Sequence, residues 1–382
     1  MKCATQRQFN KYSAAGNKKI ITLIHHNMPR MIEIFLKNIF LVFILPIACS
    51  KNNSNSNPPP PSTVDTTFTN PLLQSGPDPW VIQKDTFYYY TNTFGNHIAI
   101  YKTDEMSKLK NGVPVTIWIP PSNGAYSKDI WAPEIHYLQN KWYVYFAADN
   151  GANETHRIYV LENSSPDPTT ATWIFKGKIA DSSDRWAIDA SEFEYNGQSY
   201  LLWSGWEASV NDKQNIYIAK LQNPWTIEGN RVMISTPAYD WEKNGAPPQI
   251  NEGPEALINP SGKLFVTYSA SGCWTDNYAI GLLSLKENGN PMNAADWTKS
   301  STPVFVKQPQ NGAYGPGHNG FFKSRDGREN WIIYHANSLP GEGCGDERNP
   351  RMQKFTWNAD GTPNFGEPLQ IDSSIRKPSG EY

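Results

Sequence analysis

Five polar residues of this chain each stand at the head of a short apolar strand. They are Asp78, Asp129, Asp189, Glu252 and His318, about 50 to 66 positions apart. If the strands they open converge, these side chains crowd one small volume. Clustered carboxylates repel one another and cost stability, and acid–base chemistry is a common reason to keep them. Any single one of the five could equally be a turn cap or a packing residue. The regular recurrence of the set favours chemistry.

The elements that would position them follow a loose repeat from Phe68 onward. An acidic or polar residue precedes a short apolar strand, then a turn, then an aromatic strand. The copies open at Asp78-Pro79-Trp80-Val81, DIWAPEIHYLQNKWYVYFAA from Asp129, DASEFEYNGQSYLLWSG from Asp189, EGPEALINPSGKLFVTYSASG from Glu252 and HNGFFKSRDGRENWIIYHAN from His318. Gln139-Asn140, Asn196-Gly197, Ser261-Gly262 and Asp326-Gly327 sit where hairpin turns belong. Further strands are expected in FYYYTN from Phe87, HIAIYK from His97 and NIYIAK from Asn215. No long stretch carries a sustained 3.6-residue apolar period, so helices are expected to be few. A repeat of this length fits propeller blades rather than smaller solenoid units. The fold expected is all-β: a five-bladed β-propeller with four strands per blade, over 68–382. A β-sandwich or β-helix fits such long, aromatic repeats poorly. In a propeller the innermost strands start around a central axis, which would gather the five polar residues in one funnel.

Composition narrows the function classes. Of 382 residues 18% are charged, with a formal net charge of -2 and no long basic stretch, so nucleic acid is not an expected partner. Aromatic residues reach 13%, including 14 Trp and 19 Tyr. That suits β-strands, and it equally suits glycan binding, because sugar C–H faces stack on rings.

The N-terminal segment 1–49 reads as a targeting sequence, with the true start at Met28 or Met31. Met31 to Ala48 is an apolar run closed by a small residue and Cys49, as in a secretory signal. LPIAC is similar to a bacterial lipobox, departing from it at Pro46, and implies a lipid on Cys49. A single transmembrane anchor is the alternative. Residues 50–67, polar and then proline-rich, read as a tether. The expected location is outside the cytoplasm, on a bacterial membrane by its lipid. Cys273 and Cys344 then remain as a pair able to form a disulfide.

From about Phe68 to the C-terminus the chain resembles glycoside hydrolase family 43. Asp78 in DPWV resembles the family's catalytic-base segment, Asp189 in WAIDAS its third, modulating carboxylate, and Glu252 in NEGPE its general-acid segment. His318 in PGHN is similar to the central histidine beside a bound metal, usually calcium. DIWAPE, KWYVYFAA, EGPE, YSASGCWTD and YGPGHNGFF look like the branch of exo-acting α-L-arabinofuranosidases that trim 1,5-linked arabinan. One departure is Asp189-Ala190, where the family carries Asp-Pro; a local backbone change is the expected consequence.

The resemblance implies an inverting glycosidase acting on plant cell-wall polysaccharide or its oligosaccharides. Inversion takes an ionised carboxylate to activate water and a protonated carboxyl to serve the leaving oxygen. Asp78 is expected to be the base and Glu252 the acid, with an ionised Asp189 nearby lifting the proton affinity of Glu252. Trp131, Trp206 and Arg351 are candidate substrate contacts, each weighed against a packing or ion-pair role. Glu134 reads as a structural or supporting partner. A structural calcium ion near His318 is expected on the axis, and no organic cofactor. A β-xylosidase or an endo-arabinanase is the alternative within the family; a glycan-binding propeller without catalysis is the alternative outside it.

Overall fold

The computed structural model describes residues 65–382. The expected signal segment 1–49, Cys49 and nearly all of the 50–67 tether lie outside the described residues.

Five four-stranded antiparallel sheets follow one another along the chain, each paired in sequence order from its innermost strand outward. Blade 1 comprises Trp80–Lys84, Phe87–Thr91, Ile98–Thr103 and Val115–Trp118. Blade 2 comprises Lys128–Leu138, Lys141–Asp149, Arg157–Asn163 and Ile174–Ile179. Ala187–Tyr195, Gln198–Gly205, Asn215–Asn223 and Thr226–Ser235 form blade 3. Asn251–Ile258, Leu264–Ala270, Ala279–Leu285 and Trp297–Lys299 form blade 4. Tyr314–Lys323, Asn330–Asn337, Asn349–Trp357 and the two-residue Pro363–Asn364 form blade 5. Among the described residues the helical elements are short 3-10 turns, so the all-β five-bladed propeller expected from the sequence is what forms.

Turn chemistry sets the hairpin registers. Gln139 and Asn140 both take positive φ, as do Asn196 and Gly197, which gives the twist a two-residue hairpin needs. The core lies between blades. Tyr89, Ile98, Trp142 and Phe146 bury the interface of blades 1 and 2; Tyr145, Val160, Leu201 and Trp203 that of blades 2 and 3. Ile216, Ile218, Val266 and Tyr268 join blades 3 and 4, and Phe265, Ile280, Tyr334 and Phe355 join blades 4 and 5. Between blades 5 and 1, Phe68 and Tyr88 pack with Trp331 and Met352. The ring is also tied by a short antiparallel pair, Thr67 to Arg376 and Phe68 to Ile375.

The innermost strands share a second feature. Blades 2, 3, 4 and 5 break register near their starts, between Trp131 and Glu134, Ile188 and Ser191, Glu252 and Glu255, and Gly317 and Gly320. At each break one residue is left-handed: Ala132 (φ 44), Asp189 (φ 57), Gly253 (φ 52) and His318 (φ 45). Asp78 (φ 56) holds the same place just before the first strand of blade 1. Bulges of this kind kink a strand and re-aim a side chain. Asp and His tolerate the left-handed region better than most residues. Where a proline follows in blades 1, 2 and 4, blade 3 has Ala190, and the bulge forms there all the same.

Candidate active site

The repeated bulges place Asp78, Asp189 and His318 at equivalent positions around the axis, with Glu252 one residue ahead of its blade's left-handed Gly253. All four line one cavity of about 360 Å³ at the mouth of the propeller. Asp129 does not join them. It is solvent-exposed, two residues ahead of the bulge pair, and the equivalent place in blade 2 belongs to Ala132. Its acidic character suggested the wrong register.

Asp78 is held from several sides. Arg348 Nη1 donates to its Oδ1 at 2.8 Å and Thr93 Oγ1 to its Oδ2 at 2.7 Å. Thr93 in turn accepts from the Ala132 N–H at 2.7 Å. The Asp78 N–H donates to His335 Nδ1 at 3.1 Å, which assigns that nitrogen as an acceptor and the imidazole as neutral. Burial holds His335 well below the usual histidine range, reinforced by Arg348. His318 Nδ1 lies 3.3 Å from Asp78 Oδ1, and burial lowers its proton affinity too. Burial alone would raise the Asp78 carboxyl; the Arg348 guanidinium, helped by the Thr93 hydroxyl, outweighs it and holds Asp78 well below the carboxylate range.

The other two carboxyls are pushed the other way. Burial first, then the negative charge of Asp78, raises Glu252 to about 7, against the Tyr278 O–H that donates to its Oε1 at 2.8 Å. Asp189 is raised well above its usual range, by burial and then by Glu252 and Asp78, although its Oδ2 accepts from the Gly253 N–H at 2.9 Å. The expectation that an ionised Asp189 lifts Glu252 is thereby modified. The two carboxyls titrate as a pair that keeps a proton near neutral pH, and burial is the largest cause for each.

The aromatic walls differ in part from expectation. Trp131 lines the cavity, stacked on His156 with centroids 4.1 Å apart. Trp206 does not line it. It lies behind Trp186, ring on ring at 4.8 Å, and Trp186 is the residue that faces the cavity. Trp274, 45% exposed, also lines the cavity, with Cys273 and Cys344, which are joined as a disulfide. Arg351 is a further correction. It is fully buried inside blade 5 and donates to the backbone carbonyls of Gly312 and Asn337 and to the side chains of Asn349 and Ser338. It reaches neither the cavity nor a carboxylate, because the bulk of the blade stands between. The arginine at the site is Arg348. Glu134 is buried, with its Oε2 3.0 Å from His136 Nε2.

Calcium takes six to eight oxygen ligands. Beside His318 the side chains offer the Asp78 carboxylate, and Arg348 already pairs with it. Among the described residues no group of three or more His, Cys, Asp or Glu side chains is placed to hold an ion. This donor set does not fit a calcium ligated directly by protein.

Arg348, Thr93, Tyr278 and Trp186 were not singled out from the sequence. Arg348 and Tyr278 sit in loops outside the repeat, and Thr93 lies in the loop after a blade 1 strand. Trp186 directly precedes the Asp189 strand, and its position beside a marked carboxylate was a usable signal.

Comparison with known proteins supplies the lineage. The chain is 42% identical to an extracellular exo-α-(1→5)-L-arabinofuranosidase of Streptomyces avermitilis, over 79% of this chain and 64% of that protein. This chain therefore spans just under two thirds of that relative's length. An extracellular exo-α-(1→5)-L-arabinofuranosidase of Streptomyces chartreusis is 38% identical, over 70% of this chain and 82% of that one. A crystal structure of an α-L-arabinofuranosidase from Lactobacillus brevis superposes with a TM-score of 0.75 at 36% identity, covering 80% of this chain and 98% of that one. Residues 68–363 match the model of glycosyl hydrolases family 43, and the chain belongs to that family.

Proposed function

We propose that this protein is an inverting exo-α-1,5-L-arabinofuranosidase that releases single arabinose units from arabinan or its oligosaccharides. The observation that carries the proposal is the opposed state of two carboxyls on one cavity. Asp78 is held ionised by Arg348, and Glu252 is lifted to about 7. A binding module needs no such division.

Asp78 accepts a proton from a water molecule, whose oxygen attacks the anomeric carbon from the face opposite the leaving group. Glu252 donates its proton to the glycosidic oxygen as that bond breaks. Burial and the charge of Asp78 keep the acid protonated, and Asp189 fixes the Gly253 backbone beside it by accepting the Gly253 N–H. Trp131 and Trp186 offer apolar faces to the sugar. Arabinose as the sugar is supported by the names of the two Streptomyces relatives and of the Lactobacillus brevis protein, and action from the chain end by the names of the two Streptomyces relatives. Export is supported by the word extracellular in those names and by the apolar run before Cys49; lipid attachment at Cys49 is proposed from the sequence alone.

The test is product analysis on linear 1,5-arabino-oligosaccharides and 1,4-xylo-oligosaccharides side by side. Arabinose released one unit at a time is expected. Xylose would move the protein to the xylosidases, and short oligomers without monomer would make it an endo enzyme.

A further inference from the structure

We propose that the Cys273–Cys344 disulfide is a positioning element for the acid–base pair, one covalent bond that locks together the two loops from which Glu252 and Asp78 are held. The proposal rests on the catalytic roles given above.

Cys273 lies in the blade 4 loop between Leu264–Ala270 and Ala279–Leu285. Cys344 lies in the blade 5 loop between Asn330–Asn337 and Asn349–Trp357, 71 residues further on. The first loop ends at Tyr278, whose hydroxyl donates to Glu252. The second ends at Arg348, whose guanidinium donates to Asp78. The partner of the acid and the partner of the base therefore follow closely on the two halves of one bridge.

The second loop is held from inside by Glu342, which accepts from the Ser338 and Leu339 N–H groups, but its tip is glycine-rich. Gly341 and Gly343 both have φ of 78, a conformation glycine reaches easily and pays for in lost backbone freedom. A hydrogen bond from the Gly341 N–H to Asp276 also crosses between the loops, but it is exposed, where water competes for both groups. The bridge itself lines the cavity. It lies outside the five inter-blade clusters, so opening it leaves the propeller's core contacts in place. What it frees is the placement of Arg348 and Tyr278. A misplacement of about 1 Å in a reacting array can lower turnover by about a hundredfold.

The experiment compares the full chain in four forms: oxidised, reduced with a phosphine, re-oxidised after reduction, and as the Cys273→Ser/Cys344→Ser double variant. Each is assayed for kcat and KM on arabino-oligosaccharide, and hydrogen exchange is followed by mass spectrometry. In the reduced protein and the variant, kcat is expected to fall by about tenfold or more with KM changed less than about threefold. Re-oxidation is expected to restore kcat in the wild-type protein. Exchange is expected to rise over 271–278 and 338–348 and to hold elsewhere.

Folded, reduced protein with kcat within about twofold of the oxidised form would overturn the proposal. So would a loss that only tracks the unfolded fraction in a thermal melt. If the oxidised protein cleaves no arabinan, the functional reading falls separately. Exchange then still decides whether the bridge immobilises Tyr278 and Arg348: a rise confined to the two loops supports it, and no rise overturns it.

Discussion

Replacing Asp78 by Asn removes the one carboxylate that Arg348 and Thr93 hold ionised, and leaves no base for the attacking water. Asp78→Asn is expected to lower kcat/KM by about a thousandfold on every substrate; near-normal turnover would remove Asp78 from the chemistry. Glu252→Gln acts differently, because aryl glycosides need less help to leave. Its kcat loss on arabino-oligosaccharide is expected to exceed that on an aryl arabinoside by about tenfold or more, and equal losses would show that Glu252 is not the acid. The pH dependence follows from the same carboxyl. Glu252 must carry its proton, so activity is present below its value of about 7 and is lost as pH rises through it. The Tyr278 hydroxyl favours the charged form of Glu252. Tyr278→Phe is therefore expected to move the alkaline limb of the kcat/KM profile upward, and an unmoved or lowered limb would contradict the assignment.

At the scale of the strand, the device that gathers the site is a bulge repeated around the ring. Gly253 occupies it in blade 4 at φ 52, and a Cβ there would stand 3.2 Å from His318 Cγ. Gly253→Ala is expected to cost about 1–2 kcal/mol in thermal unfolding and to impair turnover by shifting Glu252 and His318. Unchanged stability and turnover would show that the bulge tolerates a side chain. The blades and hairpins were legible in sequence because strand length, aromatic content and turn residues recur with the period of the fold. Asp78, Asp189, Glu252 and His318 were legible because they stand near the starts of those strands. The bulge itself was not, since it is a backbone conformation that Asp, His, Gly and Ala all occupy here, so acidity alone selected Asp129 over Ala132. Arg351 was chosen over Arg348 for a related reason. Three residues apart, one is buried in the blade and the other is in the loop before it, and only the strand's start at Asn349 separates them.

For the whole molecule, closure of the ring between its first and last blades is the mechanical requirement. Phe68 is buried between those blades and packs against Trp331 at 6.1 Å, beside the strand pair that ties the two ends. Phe68→Ala is expected to destabilise the protein by about 3 kcal/mol, read by denaturant unfolding; a loss under about 1 kcal/mol would mean that closure does not depend on this contact. A rigid ring keeps Asp78 from blade 1 and Glu252 from blade 4 on one cavity, and single-displacement hydrolysis needs such a base and acid at one site. The most direct measurement is therefore a proton NMR time course of a 1,5-arabino-oligosaccharide with the oxidised protein, read at the anomeric signals before mutarotation. Free β-arabinofuranose appearing first, with the oligomer shortened one unit at a time, is the predicted result. Free α-arabinofuranose appearing first would contradict it, since a retained configuration requires a covalent intermediate and a different division of labour between Asp78 and Glu252.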